Sequence, residues 1–120
     1  MGKISKQMVI SCYENGKKVH KGLISRTDGK VFVNQETGMD IGSANDYITV
    51  LMAMLDGIEY HRTINAMATQ YFLDNIKIDF GIEAQQIAAK ATILHTKYYS
   101  TLGHGRQRKV EEIANRVLEK

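Results

Sequence analysis

The sequence predicts an α/β chain in which a three-stranded antiparallel meander precedes a helix, a fourth strand and further helices on a mixed sheet. Three observations predict it. Met8 to Tyr13 is a short apolar run ended by Asn15-Gly16, a dipeptide suited to a two-residue hairpin turn. Asp28-Gly29 repeats that punctuation before Val31-Phe32-Val33. After Ser43 the apolar spacing changes from strand-like to helical. An α+β arrangement of a hairpin sheet with packed helices is the alternative.

The first strand is Met8 to Tyr13, and Lys17 to Ser25 returns beside it with Val19 and Leu23 on one face and Lys21 interrupting. Val31 to Val33 is the third strand. Ser43-Ala44-Asn45-Asp46 then has the form of a capping box, with Ser43 and Asp46 exchanging bonds across the first helical turn. Tyr47, Leu51, Met54, Leu55 and Ile58 form the stripe of a central buried helix ending near Gly57, and Met52 and Met54 read as core. Arg62 to Ala68 is the expected fourth strand, and Gln70 to Ile76 a short helix that Gly81 separates from a longer one. In that helix Ala84, Ile87, Ala88, Ala91, Leu94 and Tyr98 share a face. A last helix begins near Lys109 on the stripe Val110, Ile113, Ala114, Val117 and Leu118, with Glu111 and Glu112 at its positive end.

A chain of 120 residues, 43% of them hydrophobic, is long enough for one domain with one modest core. Cys12 is the one cysteine, so an internal disulfide framework is excluded, and the spacing of Cys12, His20, His61, His95 and His104 matches no zinc site. Cys12 alternates with Met8 and Ile10 and reads as a small core residue. The longest apolar run, Ile48 to Leu55, is too short to span a bilayer, and Met1 to Lys6 opens no signal-peptide core. The expectation is a cytoplasmic protein with no membrane partner.

The formal net charge of +3 conceals a segregation. Residues 1–30 carry seven Lys/Arg against two acids, residues 31–96 three against eight, and residues 97–120 six against three. Basic ends around an acidic middle suit an anionic ligand, or neutralisation of one segment by another within or between molecules. Gly103-His104-Gly105-Arg106-Gln107-Arg108-Lys109 is the strongest candidate for a phosphate site: two glycines permit close backbone approach, and Arg106, Arg108 and Lys109 precede a helix N-terminus. Lys17, Lys18, Lys21, Arg26 and Lys30 of the expected hairpins would add cations, and Tyr98 and Tyr99 could stack on bases. The competing reading is a connector with solvated charges. No nucleophile elbow is present, and nothing but residue type joins Cys12 to a histidine.

Several strings resemble the ribonuclease H-like superfamily in chain order. Asn45 to Leu51 resembles the start of its first helix, Ala68-Thr69-Gln70-Tyr71 the string ending its fourth strand, and Val110 to Arg116 its closing helix, with His104 in the loop before. The resemblance implies that sheet fold and places Asp46 and Glu111 at carboxylate positions of a two-metal site. Ala68 stands where the family has an aspartate, and the first strand offers no aspartate. The implied function is therefore a scaffold that binds nucleic acid or another phosphate ligand without cutting it, needing no cofactor. The alternatives are a regulator or inhibitor that docks on protein or self-associates, of the kind a mobile element encodes, and a metal-dependent nuclease.

Overall fold

The computed structural model describes residues 3–119, so Met1, Gly2 and Lys120 lie outside it, including the first two positions of the Met1 to Lys6 segment. It is helical: α1 (Lys6–His20), α2 (Arg26–Thr37), α3 (Ile41–Asp56), α4 (Ala66–Phe80), α5 (Ile82–Ser100) and α6 (Arg108–Leu118). No strand occurs among the described residues, which overturns the α/β meander, the mixed sheet and the α+β alternative alike. The ribonuclease H-like fold falls with them. Asn45 to Leu51 lies inside α3, and Ala68 to Tyr71 opens α4 rather than ending a strand. Among the described residues there is no sheet end on which Asp46, Ala68 and Glu111 could converge. The chain forms two compact units, residues 1–52 and 53–120.

In the first unit, Ser5 caps α1 by accepting the Met8 amide at 3.2 Å. Val9, Cys12, Tyr13 and Gly16 are buried at i, i+3, i+4 and i+7, so the expected first strand is a helix with a helical stripe. Asn15-Gly16 makes no turn. Asn15 Nδ2 donates to the Ser11 carbonyl at 3.0 Å and to Glu36 Oε1 at 3.3 Å, and Ser11 Oγ donates to the same Glu36 oxygen at 2.5 Å. The two bonds to Glu36 tie α1 to α2, joining the buried Ser11 and Asn15 to a carboxylate on the exposed side of α2. A Cβ on Gly16 would lie 2.7 Å from Leu51 Cδ2, and one on Gly29 2.7 Å from Val19 Cγ2. Both glycines thus serve close helix contact rather than the hairpin turns their sequence suggests.

Ser25 caps α2, accepting the Asp28 amide at 3.0 Å, which places Asp28-Gly29 and Val31 to Val33 inside a helix. The expected capping box at Ser43 is shifted by one turn: Asp40 Oδ2 accepts the Ser43 amide at 3.0 Å just outside α3. Ala44, Tyr47, Ile48, Val50 and Leu51 of α3 are buried, as expected for Tyr47 and Leu51, whereas Leu55 of the same expected stripe is half-buried and Ile58 is 56% exposed.

In the second unit, Met54 on the last turn of α3 is buried and the helix ends at Asp56, next to Gly57 as expected. The expected strand at Arg62 to Ala68 is an irregular connector followed by helix. Asn65 is the N-cap of α4, its Oδ1 accepting the Ala68 amide at 2.8 Å. Ala68, Phe72, Leu73 and Ile76 face the core, and Gly81 separates α4 from α5. Helix α5 packs against both α4 and α6. Its buried face is Ala88, Ala91, Thr92 and His95, rotated from the expected stripe, and Ile87 and Leu94 stand more than a third exposed. A helix flanked on two sides turns its small residues inward, because they allow close approach. Helix α6 buries Val110, Ile113, Ala114 and Val117 as its sequence spacing requires.

Candidate functional site

The second unit gathers aromatic rings, histidines and cations at the end of α5. Tyr60, in the connector before α4, is buried, and its ring lies on that of His95 with centroids 4.5 Å apart and planes at 14°. The Tyr60 hydroxyl donates to Thr92 Oγ1 at 3.3 Å. Burial pushes the phenol up to about 12, against the opposing pull of the Thr92 bond. The Tyr60 carbonyl accepts from His95 Nδ1 at 2.6 Å, so the neutral ring carries its proton there. His95 Nε2 is buried and has no partner. Burial lowers the His95 pKa, opposed by the bond to Tyr60; His61 lowers it further and Glu59 raises it.

The rings continue outward. Tyr99 lies 6.2 Å from His95 and 6.0 Å from His104, both tilted. Beside it, Tyr98 is stacked on His61 at 3.8 Å with planes at 14°. His61 Nε2 donates to Glu59 Oε2 at 2.7 Å, which fixes the imidazole edge.

The 101–107 loop follows directly. Gly103 and Gly105 have φ of 80° and 96°, a left-handed backbone that glycine adopts without strain. Arg106 turns back on Glu111, with Nη2 to Oε1 at 2.5 Å and Nε to Oε2 at 3.3 Å, and this pairing raises the guanidinium pKa. The pair borders a groove of about 380 Å³ between α5 and α6, to which Thr96, Lys97 and Ser100 also contribute. Gln107 precedes α6 without a side-chain cap bond, and its Oε1 is buried without a partner. Lys97, Arg108 and Lys109 are exposed and form no ion pair with a described residue.

The other expected cations belong to the first unit, on helices rather than hairpins. Lys17 pairs with Glu14 at 3.3 Å and sits 4.8 Å from the Tyr13 ring centroid. Lys18 and Lys21 stand at the C-terminal end of α1, where positive charge favours the helix dipole. Arg26 donates to Thr49 Oγ1 at 2.6 Å, and Lys30 is half-buried on α2. Of the expected phosphate residues, those from Gly103 to Lys109 lie in the same unit as Tyr60, Tyr98 and Tyr99, with His104 meeting the Tyr99 ring.

The weaker metal candidates do not assemble. Asp46 lies on α3 in the first unit and Glu111 is held by Arg106 in the second; no group of three His, Cys, Asp or Glu fit to hold a metal occurs among the described residues. Cys12 is fully buried, as expected of a core residue, with Met39 Sδ 3.4 Å from its sulfur, and burial pushes the thiol up to about 12. Among the described residues no helix is long and apolar enough to cross a membrane.

Sequence reasoning missed Tyr60, His61 and His95. For His95 a signal existed: it follows Ala88, Ala91 and Thr92 at helical spacing, and choosing the small residues of α5 as the inner face would have buried it. For His61 none existed, since its neighbour Tyr98 belongs to a distant helix. The chain matches no family model, no curated protein and no solved structure.

Proposed function

We propose that the chain binds nucleic acid, or another ligand presenting the same phosphate chemistry, at the junction of α5 and α6, and does not cut it. One observation carries the reading: Lys97, Arg108 and Lys109, none of which forms an ion pair with a described residue, flank a glycine-bearing loop whose N-terminal side carries Tyr98 and Tyr99. Unpaired cations attract phosphate, and rings beside them offer surfaces for bases. A helix start without a side-chain cap leaves amides that can donate to an anion. A cytoplasmic site of action belongs to the same reading and fits a buried thiol that forms no disulfide.

Fluorescence anisotropy with a labelled oligonucleotide tests it. Affinity falls linearly with salt on logarithmic axes, and Arg108→Ala with Lys109→Ala reduces the slope by about 1 for each phosphate no longer neutralised. Absence of binding at low ionic strength, or binding indifferent to salt, overturns the reading.

A second reading, self-association of a regulatory protein, is favoured by the α4–α5 corner. There Ile78, Phe80 and Ile82 are 76%, 38% and 59% exposed within a short stretch of chain. Light scattering after gel filtration decides it; a monomer at high concentration counts against this reading.

A further inference from the structure

We infer that the His61–Tyr98 stack is a seat for one unpaired nucleobase, which makes the ligand a single-stranded nucleic acid; the inference rests on the proposed binding function and narrows its ligand. Tyr98 is half-buried on the last turns of α5, and His61 lies flat on it. The His61 side chain remains 57% exposed, so with one ring face covered by Tyr98 the other is left toward solvent. Its Nε2 is already committed to Glu59, and the exposed π-face offers the larger recognition surface.

That carboxylate also selects what can sit there. A phosphate placed against the stack would meet the negative charge of Glu59, whereas a neutral base meets only the ring. Phosphates are favoured instead at the loop whose His104 meets the Tyr99 ring and which leads into Arg108 and Lys109. A base seat beside a phosphate seat suits an extended strand whose bases turn one way and whose backbone turns the other. Bases within a duplex have both faces covered by their neighbours, so a flat exposed platform discriminates against duplex.

The experiment compares a single strand with its duplex by anisotropy, and follows a 2-aminopurine reporter within the single strand. The single strand binds more tightly and its 2-aminopurine fluorescence is quenched. His61→Ala weakens single-strand binding by roughly 5- to 150-fold, the worth of one base stacked on an aromatic ring, and leaves the duplex unchanged. Tyr98→Phe retains the stack and the affinity. Circular dichroism melting of His61→Ala confirms that an exposed side chain has been removed without unfolding the chain. Equal affinity for strand and duplex, unaffected by His61→Ala but lost in the Arg108→Ala, Lys109→Ala variant, overturns the base seat and leaves the phosphate reading standing. No binding of either nucleic acid at low salt overturns both.

Discussion

His95 lies flat against Tyr60, ring centroids 4.5 Å apart, while its Nδ1 donates to the carbonyl of that same residue at 2.6 Å. One helical side chain thus holds the irregular 57–65 connector by a stacked ring and a backbone bond at once. Its other nitrogen is buried with no partner to stabilise a second proton.

Acid should therefore loosen the fold. The folded state disfavours protonation of His95, so below its ordinary value of 6.5 the unfolded chain binds more protons than the folded one. The stability that a neutral His95 contributes is present above that value and is lost as pH falls below it. Thermal melting between pH 5 and 8 shows a falling midpoint on the acid side, and His95→Gln flattens that slope.

Gly16→Ala tests the contact of α1 with Leu51. The added methyl would meet Leu51 Cδ2 at 2.7 Å in a buried position. Overpacking of this kind costs about 1–3 kcal/mol, more than the helix propensity that alanine returns. Denaturant titration shows the loss, and Leu51→Ala in the same chain gives a double variant less unstable than the sum of its parts.

Asn65→Ala removes the acceptor of the Ala68 amide at the start of α4. Removing a cap of this type costs about 1 kcal/mol, read from the shift in denaturation midpoint. Asn65→Asp keeps the acceptor and most of the stability, which separates the cap from any effect of the change in side-chain size.

Cys12 is inert in the native state. A thiol pushed up to about 12 by burial presents almost no thiolate at neutral pH. Labelling with a thiol reagent proceeds at the rate at which the protein opens and becomes immediate in denaturant. Rapid native labelling would contradict the packing of α1.

Glu111→Gln strengthens oligonucleotide binding if the proposed function holds. The carboxylate engages Arg106 at two atoms, and its neutral counterpart leaves that guanidinium a full uncompensated charge beside the groove. Affinity at low salt rises and the salt slope steepens by about 1.

Legibility in the sequence differed element by element for physical reasons. Helix α6 shows its face because Val110, Ile113, Ala114 and Val117 repeat at one period with charged residues between them. The run Met8 to Tyr13 does not, since Met8, Ile10 and Cys12 alternate like a strand while Val9, Cys12, Tyr13 and Gly16 repeat like a helix. The glycines misled for a related reason. Asn15-Gly16 and Asp28-Gly29 have the residue types of turns, and only Leu51 and Val19 packed against them explain their place within helices. The 103–109 cations could be read directly, as a charge cluster needs no partner to be visible. The rings at its edge could not.

The sequence by itself determined the amphipathic α6, the apolar helix α3, the break at Gly81 and the basic cluster after α5, because each depends on residues close in the chain. Only the tertiary structure decided that Lys6–His20 and Arg26–Thr37 are helices, that α5 turns Ala88, Ala91, Thr92 and His95 inward, and that His61 meets Tyr98. Local preferences there are nearly balanced, and the free energy that chooses between them comes from contacts between residues far apart in sequence.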